Sequence, residues 1–247
     1  MEKNMSKFKP GEFRITEKAM EQWNLPKGSV VLDIGCGCGE TLEHLERKYG
    51  YKGKGIDLSV SRITEGKKRN PSLDMEYGDG EFLNEFPSFT FNGVLMECVL
   101  SVINKPDEAL HEVYCVLKKG GKLFISDLYI KNPDEEFILQ LAQEVENQPK
   151  HSHDDEGCNE KCSEDHKNKL VNFRSDGRFL MEPMARLLEE MGYQNVAWED
   201  CSLELDQYVA EKMLADGTLE GCLCEGSLNP RDEYKTGYMM LTAEKPC

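Results

Sequence analysis

The chain has 247 residues and a strong excess of acidic side chains. Its 46 acidic residues outnumber its 30 basic ones, which gives a formal net charge of −16. Such a surface repels phosphate backbones and anionic lipids, so nucleic acid and membranes are excluded as expected partners. No apolar run approaches the ~18 residues of a spanning helix, and the first residues lack an apolar leader, which predicts a cytoplasmic protein. The length predicts one domain with a large appendage.

The first element predicted along the chain is a short helix. Thr16–Trp23 places its apolar side chains on one face, and Thr16 is the expected N-cap. The stretch before it, Met1–Pro10, has no periodic pattern, and we expect it to be loosely attached.

The next segment contains the most informative ten residues of the chain. Val30–Ile34 is an apolar, β-branched run of the kind that forms a buried parallel strand. Gly35, Gly37 and Gly39 follow it, and glycines in such a turn let a ligand lie against the backbone. Glu40–Lys48 then has a helical pattern. Strand, glycine turn and helix N-terminus together predict a nucleotide-type pocket.

The spacing of the glycines argues against a dinucleotide. The dinucleotide fingerprint G-x-G-x-x-G requires a third glycine where this chain has Cys38 or Glu40. A carboxylate at a helix N-terminus repels phosphate. Asp33, at the end of the strand, suits a ligand that carries an ammonium group.

The run Asp-x-Gly-x-Gly-x-Gly from Asp33 to Gly39 resembles the first motif of the class I S-adenosylmethionine (SAM) methyltransferases. Further matches to that superfamily follow in order as far as Asp127, at the end of the predicted fifth strand. The resemblance implies SAM as cofactor. It also implies an α/β, Rossmann-like fold, with a seven-stranded, mostly parallel sheet, helices on both faces and an inserted lid after strand five.

The same resemblance implies a set of cofactor-binding residues. Asp57 would end the second strand and accept the two ribose hydroxyls, as an acid about 20 residues beyond a glycine turn can. Asp79 would meet the adenine amino group, the N–H of Gly80 a ring nitrogen, and Glu97 the methionine part of SAM. The complete predicted set is Asp33, Gly35, Cys36, Gly37, Asp57, Leu58, Asp79, Gly80 and Glu97.

Two polar positions in this region are expected to lie away from the cofactor. Asn92 stands where many family members have an acid at the start of strand four, which is the end remote from the pocket. His44 is placed on the polar side of the helix after the glycine turn, where we expect it to be solvated and inert.

The second half of the chain changes in composition. Helices are predicted at Phe137–Val145 and Arg178–Met191, and antiparallel strands at Asn195–Trp198 and Gly237–Glu244. Insertions at the carboxyl ends of strands cover the ligand site in open α/β sheets. The prediction is a single domain, 1–247, with a core at 28–128, a lid at 129–180 and C-terminal elements at 181–247.

The predicted lid contains a cluster of cysteines and histidines. Cys158, Cys162 and His166 are candidate ligands of a soft metal ion, since thiolate and imidazole are zinc ligands. Their spacing does not match a C-x₂-C knuckle, and their acidic neighbours are typical of a solvated loop. No metal is assigned, and both interpretations remain open.

The leading functional hypothesis is a SAM-dependent methyltransferase with a small-molecule acceptor. Ser126–Tyr129 resembles a run in arsenite methyltransferases, which suggests a thiol or metalloid acceptor as an alternative, and Glu97–Ser101 resembles a bacterial methyltransferase subgroup. A non-catalytic SAM- or metal-binding protein is the alternative from another class. Glu97 is the candidate catalytic base, the acceptor atom is not identified, and nothing in the sequence indicates an oligomeric state.

Overall fold

The computed structural model of the chain describes residues 9–139, 173–218 and 235–247, and these build one twisted sheet. Strands β1 to β5 lie in the order β3-β2-β1-β4-β5 and are all parallel. β9 is antiparallel to β5, and β8 is antiparallel to β9. The strands are β1 Val30–Ile34, β2 Lys52–Asp57, β3 Asp74–Tyr77, β4 Phe91–Glu97, β5 Leu117–Ile130, β6 Arg174–Ser175, β7 Arg178–Phe179, β8 Gln194–Asp200 and β9 Thr236–Glu244.

Helices cover both faces of this sheet. They are α1 Arg14–Trp23, α2 Glu40–Tyr49, α3 Val60–Arg69, α4 Pro106–Val116, α5 Met181–Glu190 and α6 Ser202–Asp216, with a 3-10 turn at Leu100–Val102. Alternate residues of a strand point to opposite faces. Val94 and Met96 accordingly join the core under α4 and α5, while Leu95 joins the core under α1 and α6. None of the helices in the described ranges is long and apolar enough to cross a bilayer.

The predicted α/β fold class is confirmed. Seven strands form the body of a mostly parallel sheet, as the resemblance implies. β8 and β9 are added at one side by antiparallel pairing, so that among these seven strands β9 runs opposite to the other six. The two-residue strands β6 and β7 are additional, and β7 pairs with the end of β5 at Tyr129 and Phe179. Asn92 lies at the remote edge, where its Oδ1 accepts bonds from Val30 N and Lys118 Nζ, both at 3.0 Å.

The prediction for the start of the chain is wrong at two points. α1 begins at Arg14, with Phe13 in the N-cap position, so Thr16 lies within the helix and is fully buried. Lys9 and Pro10 are buried, so the expectation of a loose attachment is wrong for these two residues, while residues 1–8 lie outside the described ranges. The Trp23 ring covers Gly93 of β4, where an added Cβ would lie 2.4 Å from the indole. α1 therefore packs directly on backbone in the centre of the sheet.

The prediction of a solvated His44 is also wrong. The imidazole is 7% exposed and stacks on the Phe13 ring with a centroid distance of 3.9 Å. Its Nε2 lies 2.8 Å from Glu17 Oε1. Burial is the largest influence on this group and lowers the pKa of His44, so the imidazole links α2 to α1 as a largely neutral group.

The predicted helix Arg178–Met191 begins too early. Arg178–Phe179 is strand β7, which pairs with β6 in a hairpin, and α5 starts only at Met181. Asp176 and Gly177 form its two-residue turn with φ of 50° and 71°. Positive φ at both positions favours Asp-Gly in such turns, and this signal outweighs the helical pattern that follows. Phe179 is fully buried in the core.

The described ends of the predicted lid belong to the sheet. β5 continues to Ile130, so the first two residues of the predicted lid, 129 and 130, belong to this strand, and Phe173 and Phe179 are core residues near its predicted end. The helix predicted at Phe137–Val145 is described only as far as residue 139, where the chain is helical. Residues 140–172 lie outside the described ranges, so the lid itself stays a prediction.

Candidate cofactor site

One cavity of about 660 Å³ opens at the edge of the sheet where β1, β2 and β4 end. The carboxyl ends of parallel strands meet at the same edge, which is where open α/β sheets bind ligands. All nine residues of the predicted cofactor set line this cavity. Residues from three strand ends and two loops, which span 65 positions of sequence, are therefore brought together in space.

The glycine turn forms the floor of the cavity. Gly35 has a φ of 75°, and an added Cβ would lie 2.6 Å from Val99 Cγ2, so no larger residue fits there. The N–H groups of Gly35 and Cys36 donate to Ile56 O at 2.8 and 3.0 Å, which fixes the turn to β2. The position therefore requires glycine both for its left-handed backbone and for the close approach of the segment after β4.

Asp57 is held by the turn that it faces. Its Oδ2 accepts a bond from Gly37 N at 2.8 Å, and its Oδ1 accepts one from Ser59 N at 2.7 Å. A carboxylate has about four acceptor positions, so these two bonds orient the group and leave acceptor capacity for a ligand. Leu58, the next residue, also lines the cavity with a largely exposed side chain.

Asp33 and Glu97 form an acidic corner where β1 and β4 lie side by side. Asp33 is only 3% exposed. Burial raises the pKa of Asp33 well above its usual range, and the negative charge of Glu97 adds to the increase. A nearby positive charge lowers the pKa of Asp33 and so opposes the effects of burial and of Glu97, because it stabilises the ionised carboxylate. The corner thus attracts a cation.

A lysine supplies such a cation from the N-terminal segment. The Lys9 ammonium forms a salt bridge with Glu97 and donates to the hydroxyls of Thr16 and Thr41, both at 3.0 Å. Thr16 Oγ1 donates to Glu97 Oε1 at 2.6 Å, and Thr41 Oγ1 donates to Glu97 Oε2 at 3.1 Å. Both carboxylate oxygens of Glu97 therefore already accept bonds from protein donors. This arrangement favours an anchoring role for Glu97 over that of a catalytic base.

Sequence reasoning did not identify Lys9, Thr16 or Thr41 as site residues. Thr41 lies two positions after Gly39, in the first turn of α2, and this position indicates a place near the cofactor. Lys9 gives no local signal, because its partner Glu97 lies 88 positions away in the sequence.

A loop after β3 forms the opposite end of the cavity. Asp79 Oδ1 accepts a bond from Glu81 N at 3.0 Å, which closes a tight turn around Gly80. Glu81 is buried, and its Oε1 accepts a bond from Asn104 N at 2.8 Å. An added Cβ on Gly80 would lie 2.6 Å from Ile34 Cγ2. The loop is thereby packed against β1 and tied to the segment after β4.

The family comparison agrees with this geometry. Residues 32–125, which include the glycine turn, Asp57, Asp79 and Glu97, match the model of a methyltransferase domain family. Over these residues the chain is similar to the class I methyltransferases. Enzymes of this class use SAM, so the cofactor predicted from the glycine turn is confirmed at the level of the family.

Curated relatives share this methyltransferase core but differ in their substrates. Phosphoethanolamine N-methyltransferase 1 of Zea mays is 32% identical over 141 residues, which cover 54% of this chain and 28% of that protein. The ubiquinone/menaquinone biosynthesis C-methyltransferase UbiE of Roseobacter denitrificans is 30% identical over 132 residues, or 50% of this chain and 52% of that protein. The matches thus span about half or less of the length of these relatives.

Solved structures with the same fold also differ in activity. The [4+2]-cyclase SpnF superposes with a TM-score of 0.66 at 21% identity, covering 95% of this chain and 82% of that chain. Phosphoethanolamine N-methyltransferase 2 of Haemonchus contortus, in complex with S-adenosyl-L-methionine, superposes with a TM-score of 0.66 at 16% identity. The superposition covers 98% of this chain and 55% of that chain. At these identities the likeness shows the fold alone.

The comparisons do not support the arsenite-type alternative. The candidate soft-ion ligands Cys158, Cys162 and His166 lie outside the described residues. Within residues 9–139, 173–218 and 235–247, no group of three or more His, Cys, Asp or Glu side chains is placed to hold a metal ion. A metal-binding role for the cysteines stays a prediction.

Proposed function

We propose that this chain transfers a methyl group from SAM to a small-molecule acceptor. The observation that carries the proposal is the convergence of the nine predicted cofactor residues on one cavity at the carboxyl edge of the sheet. In this proposal Asp57 accepts the ribose hydroxyls, Asp79 accepts from the adenine amino group, and the N–H of Gly80 donates to the adenine ring.

The charge of the cavity fits this cofactor. SAM carries a positive sulfonium and an α-ammonium group, and it has no phosphate. Most of the ionisable side chains that line the cavity are acidic. Lys9 and Arg62 are the basic ones, and the acidic ones are Asp33, Glu40, Asp57, Asp79, Glu81 and Glu97. Such a lining attracts a cationic ligand and repels a dinucleotide.

In the proposed mechanism the protein mainly aligns the methyl carbon of SAM with the acceptor atom. Bound SAM supplies a methyl carbon that its sulfonium already activates for in-line displacement. The protein's residues position the reactants and exclude water, and orientation of this kind can contribute roughly 7–11 kcal/mol to lowering the barrier. A base is needed only where the nucleophile must lose a proton. Glu97 already accepts three hydrogen bonds from protein donors, which favours an acceptor atom that has no proton to lose.

The other end of the cavity indicates the character of the acceptor. Beyond β4 the lining is formed by Val99, Val102, Leu128 of β5, and Leu205 and Tyr208 of α6. These side chains are mainly apolar, and β5 lies on the far side of β4 from β1 and β2. With the acidic balance of the cavity, they support an acceptor that has an apolar portion and no negative charge.

A second candidate function is a SAM-binding protein that does not transfer methyl groups. The likeness to the [4+2]-cyclase SpnF supports it, because that cyclase has the same fold. Fold alone does not determine function, so the reaction must be measured.

The test is turnover of SAM that carries a deuterated methyl group. Purified protein is incubated with paired acceptors that differ only by a phosphate, such as ethanolamine and phosphoethanolamine, and products are followed by mass spectrometry. We expect S-adenosylhomocysteine and a deuterated product with uncharged or cationic acceptors, and at least tenfold slower turnover with Asp57→Ala at SAM concentrations far below saturation. Binding of SAM without turnover across a broad acceptor panel would support the second candidate.

A further inference from the structure

The segment after β4 forms a wall of the cavity and is held by unusual contacts. Its 3-10 turn, Leu100–Val102, is short and leaves carbonyl groups without helical partners, as the ends of helices do. Val99, Val102, Ile103 and Asn104 all line the cavity. The path of this backbone therefore sets the width of the cavity.

One arginine donates hydrogen bonds to several carbonyl groups of this segment. Arg174 Nη1 donates to Leu100 O at 3.4 Å, to Ser101 O at 3.2 Å and, most closely, to Ile103 O. Its Nη2 donates to Asn104 O at 3.1 Å. A guanidinium offers five N–H donors in a fixed plane, which lets one side chain bind several converging carbonyls. The Asp176-Gly177 hairpin positions Arg174 for these contacts on β6, and Gly177 packs close to Ser101.

The N–H groups of the same segment are bound from the opposite direction. Asp127 Oδ2 accepts from Ser101 N at 2.9 Å, and Glu81 Oε1 accepts from Asn104 N at 2.8 Å. Glu81 in turn donates its own N–H to Asp79, the residue assigned to adenine. Ile103 lies against Gly80, where an added Cβ would be 3.4 Å from Ile103 Cδ1. A continuous set of contacts thus joins Arg174 to the adenine loop.

We infer that Arg174 is a positioning residue for the cofactor: it fixes the segment 99–104 so that the loop 79–81 is shaped to bind adenine. The inference rests on the proposed function. Arg174 does not line the cavity, and it acts through Asn104 and Ile103. Without the guanidinium, the carbonyls lose their common partner, the segment relaxes, and the adenine end of the cavity loses its fixed shape.

The experiment measures cofactor affinity by calorimetry in Arg174→Gln and Arg174→Lys, with Arg186→Gln as control. Arg186 is an exposed arginine on α5 and is remote in sequence from every cavity residue. We expect at least tenfold weaker SAM binding in Arg174→Gln, unchanged binding in Arg186→Gln and an intermediate value in Arg174→Lys, whose single point charge cannot reach all four carbonyls. 5′-Methylthioadenosine, which lacks the amino acid end of SAM, should lose affinity by the same factor, because the effect arises at the adenine end.

The outcomes separate this inference from the proposed function. If the wild-type protein does not bind SAM, the proposed function is wrong and the inference is wrong with it. If the wild type binds SAM and Arg174→Gln binds it equally well, or loses affinity for SAM but not for 5′-methylthioadenosine, Arg174 does not position the adenine end. Should Arg174→Gln fail to fold, Arg174→Lys gives the same comparison with the positive charge retained.

Discussion

Asp57 is the residue on which the assignment of the cofactor site depends most directly. In the proposed site, Asp57 accepts two charge-assisted hydrogen bonds from the ribose, each worth about 1.5–3 kcal/mol, and replacing it by Ala removes both. We expect the affinity for SAM, measured by calorimetry, to fall at least tenfold. Asp74→Ala is the matched control, because Asp74 is an exposed acid on β3 that pairs with Lys54. Equal affinities of Asp57→Ala and wild type would place the ribose elsewhere.

Asp127 leads to a prediction about pH. It is completely buried, and burial raises its pKa from 3.8 to about 6, so the folded protein holds this proton more tightly than the unfolded chain. Its stabilising contribution is full below pH 3.8 and is lost as the pH rises through 6. At about 1.4 kcal/mol per pKa unit, the contribution falls by about 1 kcal/mol between pH 5 and pH 7.5.

Urea unfolding of wild type and Asp127→Asn at these two pH values isolates that effect, because the other titrating groups are shared. The variant has no carboxyl group at this position. We expect the free energy of unfolding of wild type, relative to the variant, to be lower at pH 7.5. A difference that does not change with pH would show that Asp127 titrates outside this range.

Among the elements, those specified by local sequence were predicted well. β1, the glycine turn and α2 depend on neighbouring residues, namely the apolar run at Val30–Ile34, three glycines and a helical pattern, and the structure has them at the expected positions. The polar network at Glu97 could not be predicted, because Lys9 and Thr16 contact it from 88 and 81 positions away. At Asp176-Gly177 the turn residues predict a hairpin and the pattern that follows predicts a helix, and the structure has the hairpin first, with α5 starting only at Met181.

Helix α1 is joined to β4 by one buried hydrogen bond, from Thr16 to Glu97. Thr16→Val keeps the shape of the side chain and removes the donor and acceptor. Because Glu97 and Lys9 then lose a buried partner, we expect the free energy of unfolding to fall by about 1–3 kcal/mol in urea titrations.

Thr64→Val is the matched control for this change. Thr64 is an exposed threonine in α3, and its hydroxyl donates to Val60 O within the same helix. Surface substitutions of this kind change stability by within about 0.5 kcal/mol. Equal effects of the two substitutions would mean that the bond to Glu97 contributes no net stability.

At the scale of the whole molecule, the net charge of −16 bears on cofactor selectivity. SAM carries one more positive charge than S-adenosylhomocysteine, so the acidic protein should favour SAM at low salt. Added salt shortens the Debye length from ~30 Å at 0.01 M to ~10 Å at 0.1 M and so screens this preference. We expect the dissociation constant for S-adenosylhomocysteine, divided by that for SAM, to fall roughly threefold over this range. A ratio independent of salt would show that only short-range contacts distinguish the two molecules.

The packing of Trp23 on Gly93 also gives the protein an optical reporter of α1. The chain has two tryptophans, and Trp23 is 4% exposed whereas Trp198 is 43% exposed. Iodide should therefore quench the emission of Trp198 and leave that of Trp23 largely unaffected. The unquenched, blue-shifted fraction of the fluorescence comes from the helix whose Thr16 donates a hydrogen bond to Glu97. A ligand that displaces α1 would shift this fraction toward the red, while one that binds without moving α1 would not.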